Sequence, residues 1–200
     1  TTASHLIITL GTAWVYKHIE TVTIVGNCHK VPQKQFLKEL FSVEKITTSL
    51  ENICALIQDI NPLVNIIFTV SPVRHLKDGF VENAQSKAHL LTAIHQITDK
   101  RAQLYYFPSY EIMMDDLRDY RFYNSDMVHP NETAINYIWE QFQQVWIHKA
   151  TDSIQKEVDS IQKALAHKPF NPTSEQHQQF LISVQKKIEL LQKQSPSIVF

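Results

Sequence analysis

The sequence predicts an α/β fold built on a mainly parallel sheet, because strand-like and helix-like segments alternate along the chain. Three short runs rich in β-branched and aromatic residues have the pattern of buried strands, and apolar residues at helical spacing follow each of them. This alternation implies crossover connections between parallel strands. At 44% hydrophobic and 20% charged residues, the composition is that of a globular chain with one main core.

The first part of the chain contains one strand and an excursion from the sheet. Residues 6–10 are an apolar run that Gly11 ends, which is the pattern of a strand covered on both faces. Residues 13–29 alternate loosely around turn residues, which favours a hairpin. After Pro32 the spacing predicts a short helix whose apolar side carries Phe36, Leu37, Leu40 and Phe41.

The next elements alternate more regularly. They are predicted as a helix at 48–60, a strand at 64–70, a helix at 81–97, a strand at 104–107, a short helix at 110–117 and a long helix after Pro130. The apolar side of the 81–97 helix is expected to carry Val81, Ala84, Ala88, Leu91 and Ile94. Functional residues of parallel sheets gather in loops beyond the carboxyl ends of the strands. Those loops begin here at Gly11, Ser71 and Pro108.

The chain beyond residue 148 has a different pattern. Apolar residues recur at helical spacing in two segments, Ile154, Val158, Ile161 and Leu165, and then Leu181, Val184, Ile188 and Leu191. The helix breakers of 167–172 separate them. We therefore predict an α/β domain over 1–148 and an antiparallel helical hairpin over 149–200. The hairpin is either a structural appendage or a device for homo-oligomerisation.

Composition and charge argue against several partners and cofactors. A formal net charge of −1 leaves no basic surplus for phosphates, so we expect no nucleic-acid partner. No apolar run approaches the roughly 20 residues that span a bilayer, so no membrane association is expected. Two cysteines make no disulfide framework, which favours a reducing, cytoplasmic location. The ten histidines lack ligand spacing, so neither a metal nor another cofactor is predicted.

The start of the sequence is abrupt. The chain begins at Thr1 and enters an apolar strand within a few residues, although domains seldom start on their most buried type of strand. Three strands also make a thin sheet. We therefore expect one or two strands to be missing upstream.

Asp126 and His129 form the motif with the clearest chemistry. Three residues across a tight turn bring a carboxylate within reach of an imidazole, in the last loop before a long helix. The carboxylate can accept a hydrogen bond from Nδ1, which leaves Nε2 free to take a proton from a hydroxyl nucleophile. This is the base and the orienting group of a serine-hydrolase site. The alternative for a bare Asp-x-x-His is a helix cap with a surface histidine.

Four segments together resemble the GSCFA family, a branch of the SGNH/GDSL-like hydrolases. They are Leu10-Gly-Thr-Ala-Trp-Val-Tyr16, Asn27-Cys-His-Lys-Val-Pro32, Thr69-Val-Ser-Pro-Val-Arg-His-Leu-Lys-Asp-Gly79 and Asp126-Met-Val-His-Pro130. The resemblance covers roughly residues 5–148. It implies a flavodoxin-like, three-layer α/β/α parallel sheet, with Asp126 and His129 as catalytic residues.

The nucleophile of this family is missing from the sequence. The resemblance implies a serine in a Gly-Ser-Cys-Phe-Ala motif after the first strand, and the chain contains no Gly-Ser-Cys. Ser71 precedes a proline and Ser125 adjoins Asp126, and neither has a tight glycine turn to present it. We therefore expect the nucleophile on a strand upstream of Thr1.

The oxyanion donor is a second departure from the family pattern. Related hydrolases use a Gly-x-Asn, and the aligned residues here begin with Gly11 and place Ala13 at the Asn position. Gly11 keeps its backbone N–H, and Asn27 or His29 is a candidate substitute if the hairpin carries it back. For Asn27 the alternative is that it merely makes the turn.

Arg74 and His75 lie on the same predicted rim, just after the second strand. A guanidinium there either contacts substrate or holds the loop by bidentate bonds. The resulting hypothesis is a serine esterase or acyl hydrolase whose substrate is a small-molecule or carbohydrate ester. The alternative is a catalytically silent binding or scaffold protein, motivated by the missing serine and by Ala13.

Overall fold

The computed structural model describes residues 3–26, 28, 30–99 and 101–200, which divide into two compact units, Thr1–Gln141 and Phe142–Phe200. The strands are β1 (His5–Leu10), β2 (Trp14–His18), β3 (Ile24–Val25), β4 (Phe36–Leu40), β5 (Asn65–Val70) and β6 (Leu104–Phe107). The helices are α1 (Val43–Ile60), α2 (Phe80–Thr98), α3 (Ser109–Glu111), α4 (Glu132–Trp146), α5 (Asp152–Ala166) and α6 (Glu175–Gln194). A π-helical segment, Ile112–Leu117, continues α3.

The main sheet of the first unit is parallel and has the order β1–β5–β6. Ile66, Phe68 and Val70 of β5 are fully buried in a core to which α1 and α2 contribute, among others, Leu50 and Ile94. The prediction of an α/β chain with a parallel sheet is therefore confirmed. In a parallel sheet the carboxyl ends of the strands share one edge, so the loops after β1, β5 and β6 begin close together.

β1 is less buried than the sequence predicted. Ile7 is 51% exposed and Leu6 38% exposed, although both belong to the apolar run that suggested burial on both faces. The reason is that β1 pairs, within the described part of the chain, with β5 alone. Its other edge is open there.

A small antiparallel sheet with the order β3–β2–β4 follows β1. It contains the hairpin excursion expected over 13–29, but the short helix predicted after Pro32 is wrong. A single 3₁₀ turn leads instead into β4, which pairs with β2 in the register Trp14↔Leu40. Phe36 and Leu40 are four residues apart, a spacing that suits one turn of a helix and also one face of a strand. Pairing with β2 decides between them.

The predicted helices after the excursion are present with two differences. α1 begins at Val43 rather than Thr48, because Ser42 Oγ accepts the Lys45 N–H and caps it. The buried side of α2 is only partly the predicted one, since Ile94 is buried and Leu91 packs against the core but the other three residues do not. Val81 is 75% exposed, and Ala84 and Ala88 are exposed too. The buried residues are Ser86, Lys87, Leu90, Ala93, Ile94 and Ile97.

The second unit contains α5 and α6, which pack on each other. Ile161, Val184 and Leu191 form its buried cluster, whereas Leu165 and Leu181 are exposed despite their place in the predicted apolar stripes. Across the described residues, no helix combines the length and the apolar character needed to cross a membrane.

Candidate active site

Asp126 and His129 are hydrogen-bonded in the turn that the motif predicted. Asp126 Oδ2 accepts the Nδ1–H of His129 at 2.7 Å, while Oδ1 accepts the backbone N–H groups of Val128 at 2.8 Å and His129 at 3.0 Å. Met127, at φ +57°, turns the chain back between them. Bonds from the His129 and Val128 N–H groups, and then from the imidazole, lower the pKa of Asp126 to about 2. A carboxylate only accepts hydrogen bonds, so Nδ1 carries the proton and a neutral imidazole keeps Nε2 free.

Backbone bonds at both ends fix this segment, which we call the Asp–His turn (residues 123–130). Tyr123 and Pro130 form an antiparallel bridge, and Asn124 N–H donates to the His129 carbonyl at 2.8 Å. Asn131 closes the turn, since its Nδ2 donates to the Arg121 carbonyl at 2.6 Å while its Oδ1 accepts the Ala134 N–H and caps α4.

The two catalytic candidates of the Asp–His turn are accessible. The side chains of His129 and Asp126 are 58% and 48% exposed. An exposed pair of this kind adds little to folding stability, so the imidazole is held by the geometry of the turn rather than by burial.

Arg74 connects the loop after β5 to the Asp–His turn. Its backbone N–H donates to the Val128 carbonyl and its Nη1 to the Met127 carbonyl, both at 3.2 Å. Its guanidinium also lies over the rings of Tyr123 and Tyr120, at 5.2 and 5.6 Å from their centroids. These contacts give Arg74 a role in holding the loop, while contact with a substrate stays a prediction.

His75 and Gly11 are brought together by the loops that follow β5 and β1. His75 Nε2 lies 3.3 Å from the point where a β-carbon on Gly11 would stand, so a larger residue at position 11 would press on the ring. The His75 backbone N–H donates to Asn83 Oδ1 at 2.8 Å. Burial lowers the pKa of His75, and the nearby charges of Lys87 and His129 lower it further.

Lys87 is a residue of this rim that the sequence reasoning missed. It is 1% exposed, and its Nζ donates to the carbonyl groups of Gly11 at 2.7 Å and Ser71 at 2.6 Å, an arrangement we call the Lys87 cluster. Burial lowers the pKa of Lys87 to about 8, and no carboxylate of the described residues pairs with it. The sequence signal for its burial was its spacing, since Lys87 precedes Leu90 and Ile94 by three and seven residues and so lies on the same side of the helix.

The remaining candidates divide into three groups. Asn27 and His29 lie outside the described residues. Ala13 is buried, and its N–H donates to Ser86 Oγ at 2.7 Å. In the described part of the chain no serine hydroxyl is bonded to His129, and Ser71 Oγ accepts the Val73 N–H instead.

The described side chains contain no group of three or more His, Cys, Asp and Glu that could hold a metal ion. This edge of the sheet carries an imidazole hydrogen-bonded to a carboxylate, a second imidazole beside Gly11, and the buried amine of Lys87. Such a set can accept a proton and donate hydrogen bonds.

Comparison with known proteins places this chain in a family. Its residues 1–142 match the sequence profile of the GSCFA family, and residues 158–200 match that of the C-terminal domain of GSCFA domain proteins. No curated protein and no solved structure matches the chain. The family match covers both the parallel sheet and the Asp–His turn, and the chain belongs to the GSCFA family.

Proposed function

We propose that this protein is a serine esterase or acyl hydrolase of the SGNH/GDSL type, with His129 as general base and Asp126 as its orienting group. The observation that carries the proposal is the 2.7 Å bond from His129 Nδ1 to Asp126 Oδ2, which leaves Nε2 as the proton acceptor. A pair that served only as a helix cap would not need the imidazole in this bond, since Asn131 already caps α4.

The proposed reaction follows from that protonation state. A serine hydroxyl attacks the ester carbonyl carbon, and its proton passes to Nε2 of His129. Asp126 stabilises the imidazolium that results. When the tetrahedral intermediate collapses, the alcohol leaves with the proton of His129 and an acyl-enzyme remains. A water molecule, deprotonated by His129, then attacks the acyl carbon. The bond to the serine breaks, the acid product leaves, and His129 returns the proton to the serine oxygen.

The proposal places the nucleophile on a strand of the protein that precedes this segment. The edge of β1 that is unpaired among the described residues supports it, because another parallel strand can pair there and cover Leu6 and Ile7. A strand pairing in parallel with β1 would end beside Gly11, at the edge of the sheet where the loops after β1 and β5 meet.

The proposed substrate is a small-molecule or carbohydrate ester. The side chain of His129 is more than half exposed, which supports a substrate whose ester group reaches the site directly from solvent. Tyr120, 61% exposed beside Arg74, offers a ring on which a sugar can stack.

The test is ester hydrolysis by the complete protein encoded by the reading frame that contains this segment. With p-nitrophenyl acetate, we expect His129→Ala to lower kcat by about 10²–10⁴-fold, the usual contribution of a general base. His95→Ala is the matched control, because His95 is also an exposed imidazole but lies near the end of α2. Equal turnover by the wild-type protein and His129→Ala would overturn the proposal and leave a binding or scaffold role.

A further inference from the structure

An esterase of the proposed kind needs a hydrogen-bond donor for its oxyanion, and the expected residue is absent. The family pattern places an Asn two residues after Gly11, where this chain has Ala13. Ala13 is 2% exposed and its methyl group lies in the main core. Its N–H is also occupied by Ser86 Oγ. Neither its side chain nor its backbone can therefore stabilise an oxyanion.

We propose that His75 supplies this donor from Nε2, beside the backbone N–H of Gly11. The inference rests on the esterase function proposed above and names the residue that completes its oxyanion site. It also gives His75 a catalytic role that differs from that of His129, since His75 donates a hydrogen bond and takes no proton from the nucleophile.

The position of the imidazole supports this role. His75 Nε2 faces Gly11 from the side where any other residue would carry its β-carbon, 3.3 Å from that position. The Leu10 carbonyl accepts the Ser71 N–H and so faces β5. Because successive residues of a strand direct their backbone groups to alternate sides, the Gly11 N–H is directed toward the free edge of β1. The proposed nucleophile would arrive at that edge.

One side of α2 holds both donors in place. Asn83 accepts the His75 N–H. Ser86 Oγ accepts the Ala13 N–H and is hydrogen-bonded to the Thr12 hydroxyl. Lys87 Nζ donates to the carbonyl groups of Gly11 and Ser71. Asn83, Ser86 and Lys87 are three and four residues apart, so they project from the same side of the helix. Donors that are fixed before the reaction stabilise the oxyanion without having to reorganise, and this preorganisation supplies most of the rate enhancement of an oxyanion site.

The charges around His75 favour a neutral donor. Burial, the Lys87 ammonium and the His129 imidazole all act to lower its pKa, and no carboxylate of the described residues acts in the opposite sense. At pH 7 the ring therefore carries one N–H. Among the residues that the structure describes, neither ring nitrogen of His75 has a hydrogen-bond partner. The proposal places this N–H on Nε2, where an oxyanion at Gly11 can accept it.

The kinetic test compares two variants of His75 in the complete protein. We expect His75→Ala to lower kcat for p-nitrophenyl acetate by about 10²–10³-fold with little change in KM, the effect of losing one oxyanion donor. His75→Gln restores an N–H donor and should recover part of that loss. His95→Gln is the matched control and should leave kcat unchanged. Urea midpoints of all variants show whether a loss reflects unfolding.

Each outcome separates this inference from the proposed function. If His129→Ala abolishes turnover but His75→Ala does not, the esterase stands and the role of His75 is wrong. If turnover does not depend on His129, both proposals are wrong. Nitrogen-15 NMR of the wild-type protein gives an answer without activity, because the proposal requires a neutral His75 with its proton on Nε2 at pH 7. A charged ring, or a proton on Nδ1, would contradict it.

Discussion

The Asp–His turn and the Lys87 cluster belong to the same unit but hold their functional groups in opposite ways. In the turn, the side chains of Asp126 and His129 are about half exposed, and local backbone bonds hold the turn that carries them. In the cluster, one amine is almost completely buried and joins residues 16 and 76 positions away in the sequence. The turn is therefore a local device whose loss should affect chemistry, whereas the cluster is a long-range device whose loss should affect folding first.

The largest effect expected from this comparison is on turnover. Asp126→Asn places an amide opposite Nδ1 of His129, and the amide N–H favours the imidazole tautomer with its proton on Nε2. In that tautomer Nε2 cannot accept the proton of the nucleophile. We expect kcat to fall by about 10³–10⁴-fold, as in other Ser-His-Asp sites, with little loss of stability. Ester hydrolysis and urea unfolding measure the two quantities.

The control for Asp126→Asn is Asp119→Asn, since Asp119 is another exposed carboxylate that accepts a backbone N–H two residues on. It should leave kcat unchanged. A similar loss of turnover in both variants would show that the charge of this surface matters and that the specific bond to His129 does not.

Lys87→Met should act mainly on stability. It leaves the carbonyl groups of Gly11 and Ser71 without their donor, and an unsatisfied buried group costs about 1–3 kcal/mol. We expect the free energy of unfolding to fall by about 2–4 kcal/mol, since Met also removes the cost of burying the ammonium. Lys163→Met, at an exposed ion pair on α5, should change it by less than about 0.5 kcal/mol. If Lys87→Met and Lys163→Met both change the free energy of unfolding in urea by less than about 0.5 kcal/mol, the structural role of the Lys87 cluster is wrong.

Asn131→Ala tests how the Asp–His turn is anchored. The variant loses the cap of α4 and the bond to the Arg121 carbonyl, so we expect a loss of about 1–2 kcal/mol in the free energy of unfolding. Ser42→Ala, which removes only the cap of α1, should cost about 0.5–1 kcal/mol. If the two losses in urea unfolding are equal, the second bond of Asn131 contributes nothing.

The smallest effect concerns acid stability. The pKa of Asp126 is about 2 in the folded chain and about 3.9 in an unfolded one, so its ionised form favours folding. This contribution is complete above about pH 4 and is lost as the pH falls through about 2. Carbon-13 NMR of the carboxyl group should show a midpoint near pH 2, and a midpoint near 4 would mean that the three bonds to Asp126 are absent in solution.

The same comparison explains how much of the molecule the sequence predicted. Asp126 and His129 are three residues apart, so local geometry was enough to predict their bond. The three strands of the parallel sheet were predicted because their apolar runs are rich in β-branched and aromatic residues and are bounded by breakers. β4 was predicted as a helix because Phe36 and Leu40 suit both structures, and only pairing with β2 distinguishes them.

Long-range contacts account for what was missed at the site. Lys87 is polar, so it was not assigned to the buried side of α2, and its partners lie at the ends of two other strands. The approach of His75 to Gly11 likewise depends on how two loops pack, which no spacing within either loop records.

The burial of Lys87 also gives the molecule a built-in reporter of its own motion. Acylating reagents attack only an unprotonated amine that they can reach, and outside its buried site the pKa of Lys87 returns toward the ordinary value of about 10.4. Access is closed as long as α2 covers the strand ends, because the side chain is 1% exposed. The rate at which Lys87 becomes labelled therefore measures how often this helix lifts from the sheet, a local breathing motion that is invisible in a static structure.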